Sequence, residues 1–157
     1  MLGGCLPNGG VVKYNDIFDN EEVIGKSTII KIGTIRIVAS MDADHEYHFL
    51  VMTIAHRNNY FELTDAERSD YALAEKVIAG FYKMHGIDGY SKIELVGEEA
   101  GRTIPHWHVH FVPGKSDNFH NNPKERPLHR SSEELHTFAK SLSPEFENIT
   151  KGSGQIA

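Results

Sequence analysis

Three histidines occupy alternate positions in the segment IPHWHVHFV, residues 104–112. Successive side chains of a β-strand point to opposite faces, so this spacing predicts a strand on which His106, His108 and His110 share one face at intervals of about 6.6 to 6.8 Å. The apolar residues between them would then face the core. One or two histidines on such a face are typical of a solvated polar surface, but three in register favour a role in chemistry.

Two kinds of chemistry suit three aligned imidazoles. In one, the histidines bind a metal ion, since neutral imidazole is a common metal ligand. In the other, one imidazole attacks a phosphorus atom, while its neighbours orient it and backbone amides bind the phosphate. A metal-dependent enzyme that uses His106, His108 and His110 is therefore one interpretation, and a phosphorus-transfer enzyme is the other.

The segment directly before the histidines is rich in small residues. Gly97, Ala100, Gly101 and Thr103 predict a turn whose backbone amides and hydroxyl can approach an anion closely. A metal site does not need such a turn. The segment therefore favours phosphorus chemistry over metal binding.

The elements that must position these residues are strands and helices. Residues 27–40 contain two runs of β-branched residues separated by Gly33 and Thr34, which predicts a hairpin. Apolar runs predict three further strands, which cover residues 47–54, 92–96 and 106–112. We expect these five strands to form one sheet.

A long helix is predicted between residues 65 and 85. Thr64 and Glu67 form the pattern of a capping box, and apolar residues up to Phe81 recur at the spacing of one helix face. A second, short helix is predicted to start in residues 131–134 and to run to about residue 142. Because the strands do not alternate with helices, the prediction is an α+β fold: a five-stranded antiparallel sheet with one long helix and a short C-terminal helix.

The composition limits the classes of function. The chain has 157 residues and a formal net charge of −6, so it has the size of one domain and is not expected to bind nucleic acid or a membrane surface. Cys5 is the only cysteine, which excludes an intrachain disulfide. The first residues lack the features of a signal peptide, so we expect a cytoplasmic protein.

Two segments together resemble the histidine triad (HIT) family. The stretch EAGRTIPHWHVHFV, residues 99–112, is similar to the family signature, in which three histidines alternate with apolar residues after a small-residue loop. The stretch YHFLVMTIAHRNNYFELTDAE, residues 47–67, resembles the family's third strand, the histidine that opens it and the entry to its long helix. The resemblance covers roughly residues 27–113.

The composition divides the chain into an N-terminal arm, residues 1–22, a domain core, residues 23–114, and a C-terminal extension with a short helix and a frayed tail, residues 115–157. The resemblance implies a HIT-like fold for the core. It also implies a homodimer that pairs through the long helix and the strand at residues 92–96, because that strand would otherwise be an exposed sheet edge.

The implied activity is hydrolysis or transfer of a nucleotidyl group, taken from a nucleoside 5′-phosphoramidate or a dinucleoside polyphosphate. His108 would attack the α-phosphorus and hold a covalent nucleotidyl group until water removes it. His110 would hydrogen-bond the phosphate or the leaving group, and His106 and His48 would fix the tautomers. The family needs no cofactor and no metal ion for this reaction. A nucleotide-binding protein with little turnover is the alternative from the binding class.

The resemblance also assigns binding roles. Gly101, Arg102 and Thr103 would bind the phosphate, and Asp42 or Asp44 would bind the ribose. Arg102 stands where the family has a neutral glutamine. Arginine offers a forked donor to phosphate oxygens, so we expect this residue to favour leaving groups with extra negative charge.

Two further expectations concern residues around these motifs. Leu95 stands where the family commonly has asparagine, which removes one polar contact. Arg102 could instead pair with Glu98 or Glu99. Five of the remaining histidines are expected at the surface: His45, His85, His120, His129 and His136. His56 follows the strand at residues 47–54 and is either a loop residue or a part of the site.

Overall fold

Five strands form a single antiparallel sheet in the computed structural model, which describes residues 4–5, 11–12 and 16–154. The strands are β1 (Thr28–Ile32), β2 (Ile35–Ala39), β3 (Phe49–Thr53), β4 (Tyr90–Ile93) and β5 (His108–Pro113). Their order across the sheet is β1-β2-β3-β5-β4. The predicted α+β class and the five-stranded antiparallel sheet are confirmed.

The pairing register decides which residues share a face of this sheet. Leu50 on β3 lies opposite His110 on β5, and Met52 lies opposite His108. Residues that are directly opposite on antiparallel strands project to the same side. The two histidines therefore lie on the face with Leu50 and Met52, and the large apolar core packs on the other face with Phe111.

Three helices cover the sheet, namely α1 (Glu21–Ser27), α2 (Asp65–Met84) and α3 (Ser132–Gly154). The long helix begins as predicted, because Thr64 Oγ1 accepts from the Glu67 amide at 3.1 Å and the Glu67 carboxylate accepts from the Thr64 amide at 2.8 Å. Helices α2 and α3 bury their apolar side chains in the main core. Helix α1 was not predicted and packs on the opposite face, where Ile24 is buried beside Leu50.

The C-terminal helix is longer than expected. It begins at Ser132, within the predicted starting segment at residues 131–134, but it contains 23 residues and includes Pro144. Helix α3 continues past the predicted end at residue 142 because Phe146 is fully buried in the main core and Ile149 packs against that core. The predicted frayed tail begins at Lys151, but residues 151–154 are helical and residues 155–157 lie outside the described part of the chain.

Two strands lie a few residues from their predicted positions for one shared reason. The backbone bends at residues 104–106, where the His106 amide donates to the Ile104 carbonyl at 2.8 Å, so β5 begins at His108 instead of His106. Among the described residues, strand β4 pairs with β5 alone, from Tyr90 opposite Pro113 to Ile93 opposite His110. The predicted strand at residues 92–96 therefore ends early, because its last residues have no partner strand.

The C-terminal extension returns to the sheet before α3 begins. Its two-residue strand Leu128–His129 pairs with Asp42–Ala43, which follows β2. This pairing holds residues 115–131 next to the start of β3. Within residues 16–154, none of the helices is both long and apolar enough to cross a membrane.

Candidate active site

A cavity of about 390 Å³ opens on the sheet face that carries His108 and His110. Four parts of the chain line this cavity. They contribute Phe18 before α1, Leu50 on β3, Thr103 in the small-residue turn and Arg126 in the extension. The predicted chemistry-bearing strand, the small-residue turn and both terminal segments therefore meet at one cavity.

His108 presents one defined nitrogen for reaction. Its Nδ1 lies 2.7 Å from the carbonyl oxygen of His106, so Nδ1 carries the proton and donates it. The lone pair then remains on Nε2. Burial lowers the pKa of His108 to about 4, which keeps the ring neutral near pH 7. The arrangement suits a nucleophile.

His110 is fixed by a chain of two hydrogen bonds. The backbone amide of Asp44 donates to Nδ1 of His48 at 3.0 Å, so the proton of His48 is on Nε2. That Nε2 lies 3.0 Å from Nδ1 of His110 and donates to it. His110 therefore carries its proton on Nε2 and is a hydrogen-bond donor. Burial lowers its pKa well below the ordinary value.

His106 is fully buried in the bend before β5 and faces two oxygen acceptors. Its Nδ1 lies 2.9 Å from the carboxylate of Asp16, and its Nε2 lies 2.7 Å from the Thr53 carbonyl. His106 was predicted to share a strand face with His108 and His110. Instead it contacts Asp16 through its side chain and His108 through its carbonyl oxygen.

Asp16 belongs to a cluster that the sequence did not predict. Burial alone would raise the pKa of Asp16, but hydrogen bonds from His106 and His56 outweigh it and lower this pKa to about 2. His56 contacts Asp16 at 2.8 Å and Asp19 at 3.1 Å. Asp16 and Asp19 stand in the N-terminal arm, where the sequence has no helix or strand period that could connect them to His106.

The same cluster is the place where the described residues could hold a metal ion. Ligand atoms of Asp16, Asp19, His56 and His106 lie within 4.8 Å of one another. Among residues 16–154, this cluster is the one group of three or more such side chains that could hold a metal ion. His106 is the one triad histidine in it. A metal ion held by His106, His108 and His110 together does not fit this geometry, because each ring is directed to a different partner.

The predicted phosphate loop borders the cavity with all three of its assigned residues, Gly101, Arg102 and Thr103. Gly101 has a φ of 98°, a left-handed conformation that favours glycine, and a Cβ at this position would also displace the Asn121 side chain. The Arg102 guanidinium donates to the backbone carbonyl of Asn58 and, at 2.7 Å, to its side-chain oxygen. Arg102 thus contacts the loop after β3 and neither Glu98 nor Glu99.

The two candidate ribose residues both contact histidines of the extension. Asp42 borders the cavity, and its carboxylate lies 2.8 Å from Nδ1 of His129. The Asp44 carboxylate accepts from the His120 amide at 2.8 Å and from its ring at 2.6 Å. Both histidine rings are partly exposed, as predicted, but each also ties the extension to the core.

Comparisons with known proteins are consistent with this site. A family model described as HIT domain matches residues 21–117. Two curated relatives match in part: the nitrilase and fragile histidine triad fusion protein NitFhit of Caenorhabditis elegans, 37% identical over 62 residues, and bis(5′-adenosyl)-triphosphatase of Dictyostelium discoideum, 34% identical over 94 residues. These matches cover 39% and 55% of this chain, but only 14% and 62% of the relatives.

Solved structures show a similar fold. Plasmodium falciparum diadenosine triphosphate hydrolase in complex with cyclomarin A superposes with a TM-score of 0.64 at 19% identity and covers 78% of each chain. A hypothetical histidine triad nucleotide-binding protein from Sulfolobus tokodaii superposes with a TM-score of 0.61 at 22% identity, over 78% of this chain and 85% of that one.

Proposed function

The chain belongs to the HIT domain family, and from this premise we propose that it is a nucleotidyl hydrolase or transferase. Its substrate would be a nucleoside 5′-phosphoramidate or a dinucleoside polyphosphate, cleaved at the α-phosphorus. The observation that carries this proposal is the contact between Nδ1 of His108 and the carbonyl of His106 at 2.7 Å, because it leaves the lone pair on Nε2.

In the first step, Nε2 of His108 forms a bond to the α-phosphorus and the bond from phosphorus to the leaving group breaks. A polyphosphate oxygen leaves as an anion, and an amine nitrogen leaves after it takes up a proton from solvent. His108 keeps its Nδ1 proton and becomes a cation, which the His106 carbonyl stabilises. In the second step, water attacks the same phosphorus, the P–N bond breaks and its electron pair returns to Nε2, while a proton goes to solvent.

The other three histidines of the site orient the reacting groups and stabilise the developing charge. His110 donates its Nε2 proton in a hydrogen bond to the phosphate or the leaving-group atom, where negative charge develops. His48 keeps His110 in the tautomer that can donate. His106 fixes His108, and Asp16 in turn fixes His106. His108 therefore carries out the nucleophilic attack, and His110 stabilises the developing charge. Each is held in the required tautomer by one supporting histidine.

The phosphate and ribose would be bound by the cavity rim. Amides around Gly101 and the hydroxyl of Thr103 are the proposed donors to the phosphate oxygens. Of the two candidate ribose ligands, Asp42 is more accessible to a substrate. The Asp44 side chain is only 1% exposed and already accepts a hydrogen bond from His120. A phosphate contact by Arg102 would require its bonds to Asn58 to open.

Intact-protein mass spectrometry tests the proposed mechanism. The protein is mixed with an adenosine 5′-phosphoramidate or diadenosine triphosphate and quenched in acid after short intervals. We expect a transient gain of one nucleotidyl group that is missing in His108→Asn. Turnover with no such adduct, at an equal rate in both proteins, would contradict the covalent step, and nucleotide binding without turnover would favour the binding-protein alternative.

We propose three further features. The division at residues 22 and 114 agrees with the family match at residues 21–117, although α3 packs in the main core. A homodimer would cover the edge of β4, which pairs on one side only within the part of the chain that the structure describes. A cytoplasmic location suits a chain with a single cysteine.

A further inference from the structure

Arg126 is a buried cation of the extension that borders the cavity, and the proposed mechanism does not use it. Its side chain is only 6% exposed. Nε donates to the His120 carbonyl at 2.8 Å and Nη1 donates to the Asp42 carbonyl at 3.1 Å. The guanidinium also lies over the Phe119 ring, 5.1 Å from its centroid. These partners are uncharged, so they orient the guanidinium without neutralising it.

The charge of Arg126 is only partly balanced by the protein. Asp44 is its ion-pair partner, at 3.7 Å from Nε, but both carboxylate oxygens of Asp44 already accept shorter hydrogen bonds from His120. Among residues 16–154, no acceptor forms a hydrogen bond with Nη2 of Arg126. Burial lowers the pKa of Arg126, so the environment disfavours its charge. A buried cation with an available donor is suited to an anionic ligand.

The position of Arg126 indicates which part of a substrate it would meet. Its guanidinium lies over the Phe119 ring, and that ring packs against the His110 ring with centroids 4.8 Å apart. Arg126 and His110 also border the same cavity, so the guanidinium is on the side of the histidine that would face the leaving group. Asn121, from the same extension, borders the cavity next to Gly101 of the phosphate loop. Two side chains of the extension therefore add polar donors to the leaving-group side of the cavity.

We propose that Arg126, assisted by Asn121, binds the phosphate that follows the α-phosphate, and so selects substrates with a phosphorylated leaving group. The inference rests on the proposed function. Guanidinium bonds to phosphate oxygens are charge-assisted and two-pronged, whereas an uncharged amine offers no anion to bind. Dinucleoside polyphosphates would thus be cleaved in preference to phosphoramidates of neutral amines.

The test compares two substrates that share the adenylyl group, diadenosine triphosphate and adenosine 5′-phosphoramidate. For Arg126→Gln we expect kcat/KM for the triphosphate to fall at least tenfold and kcat/KM for the phosphoramidate to change less than twofold. Arg126→Lys keeps the charge but loses the fork, so it should recover part of the loss. Lys124→Gln is the matched control, because it removes the same charge from an exposed side chain two residues from Arg126 in the same segment.

Inorganic pyrophosphate provides a second readout that does not depend on turnover. It should bind the wild-type protein and Lys124→Gln equally, and Arg126→Gln at least tenfold more weakly. Equal losses on both substrates in Arg126→Gln would show a structural role and overturn the proposal, as would unchanged pyrophosphate binding. If the wild-type protein cleaves neither substrate, the proposed function fails, while pyrophosphate binding still decides the role of Arg126.

Discussion

Nε2 of His48 lies 3.0 Å from Nδ1 of His110, although the two residues are 62 positions apart in the chain. The contact joins the residue before β3 to the middle of β5. Because the Asp44 amide occupies the other nitrogen of His48, the proton between the two rings belongs to His48. A backbone amide outside the cavity therefore decides which nitrogen of His110 can donate into it.

Replacement of His48 by Gln tests this arrangement. The variant should lower kcat by about 10² or more with little change in KM, since His110 can then adopt the tautomer that has no proton on Nε2. Steady-state kinetics on either candidate substrate measures the split. His136→Gln, at an exposed position, is the control. Equal kcat values for wild type and His48→Gln would show that the tautomer of His110 is unimportant.

His108→Asn should remove turnover by several orders of magnitude, because the variant lacks the attacking nitrogen while the phosphate loop stays intact. Binding of a nucleoside monophosphate, measured by calorimetry, should persist. A variant that keeps near-normal rates would exclude His108 as the nucleophile. Loss of binding together with turnover would instead point to a collapsed site, which thermal unfolding would reveal.

The buried histidines also make stability depend on pH. Burial lowers the pKa of His108 to about 4 and that of His48 to about 3, so the unfolded chain binds more protons than the folded protein below pH 6.5. Their contribution is complete above that pH and is lost as the pH falls toward the folded values. The free energy of unfolding should drop between pH 7 and pH 5, on the order of 1 to 2 kcal/mol for each neutral histidine.

Urea denaturation at several pH values checks this dependence. His136→Gln should show the same slope as the wild-type protein, because that side chain is exposed. A constant or rising midpoint on going from pH 7 to pH 5 would contradict the expectation. It would mean that the buried rings are charged in the folded protein.

The variant Arg102→Gln tests which of two arginines, Arg102 or Arg126, contacts the leaving group. Since Arg102 donates both its terminal nitrogens to Asn58, its replacement should leave the ratio of kcat/KM for triphosphate and phosphoramidate unchanged within about twofold. The melting temperature should fall slightly, because the loop after β3 loses its anchor. A tenfold shift of the ratio would instead support the phosphate contact expected from the sequence, and corresponds to 1.4 kcal/mol.

The assembly is tested by sedimentation. We expect a homodimer, with a mass twice the 17.6 kDa of one chain, in which the free edge of β4 is paired. The fraction of dimer should rise with protein concentration in the micromolar range. A single 17.6 kDa particle throughout that range would contradict this expectation.

The sequence predicted the elements that depend on residues close together in the chain. The capping box at Thr64, the hairpin at Gly33 and the family resemblance are all confirmed. The contacts of Asp16 and Arg126 were missed, because each joins the site to segments without a helix or strand period. Asp16 is 90 positions from His106, and Arg126 is 84 positions from Asp42. No spacing rule connects partners so far apart.

The contact between Asp16 and His106 affects how shortened versions of this protein should be designed. The family match begins at residue 21, so a fragment cut at that point would seem to hold the whole domain. It would nevertheless lack Asp16, and it would lack Phe18, whose ring packs edge-on against His108 with centroids 5.2 Å apart. Such a fragment would keep every triad histidine yet leave Nδ1 of His106 without its carboxylate and one wall of the cavity open to water. Useful fragments therefore begin before residue 16.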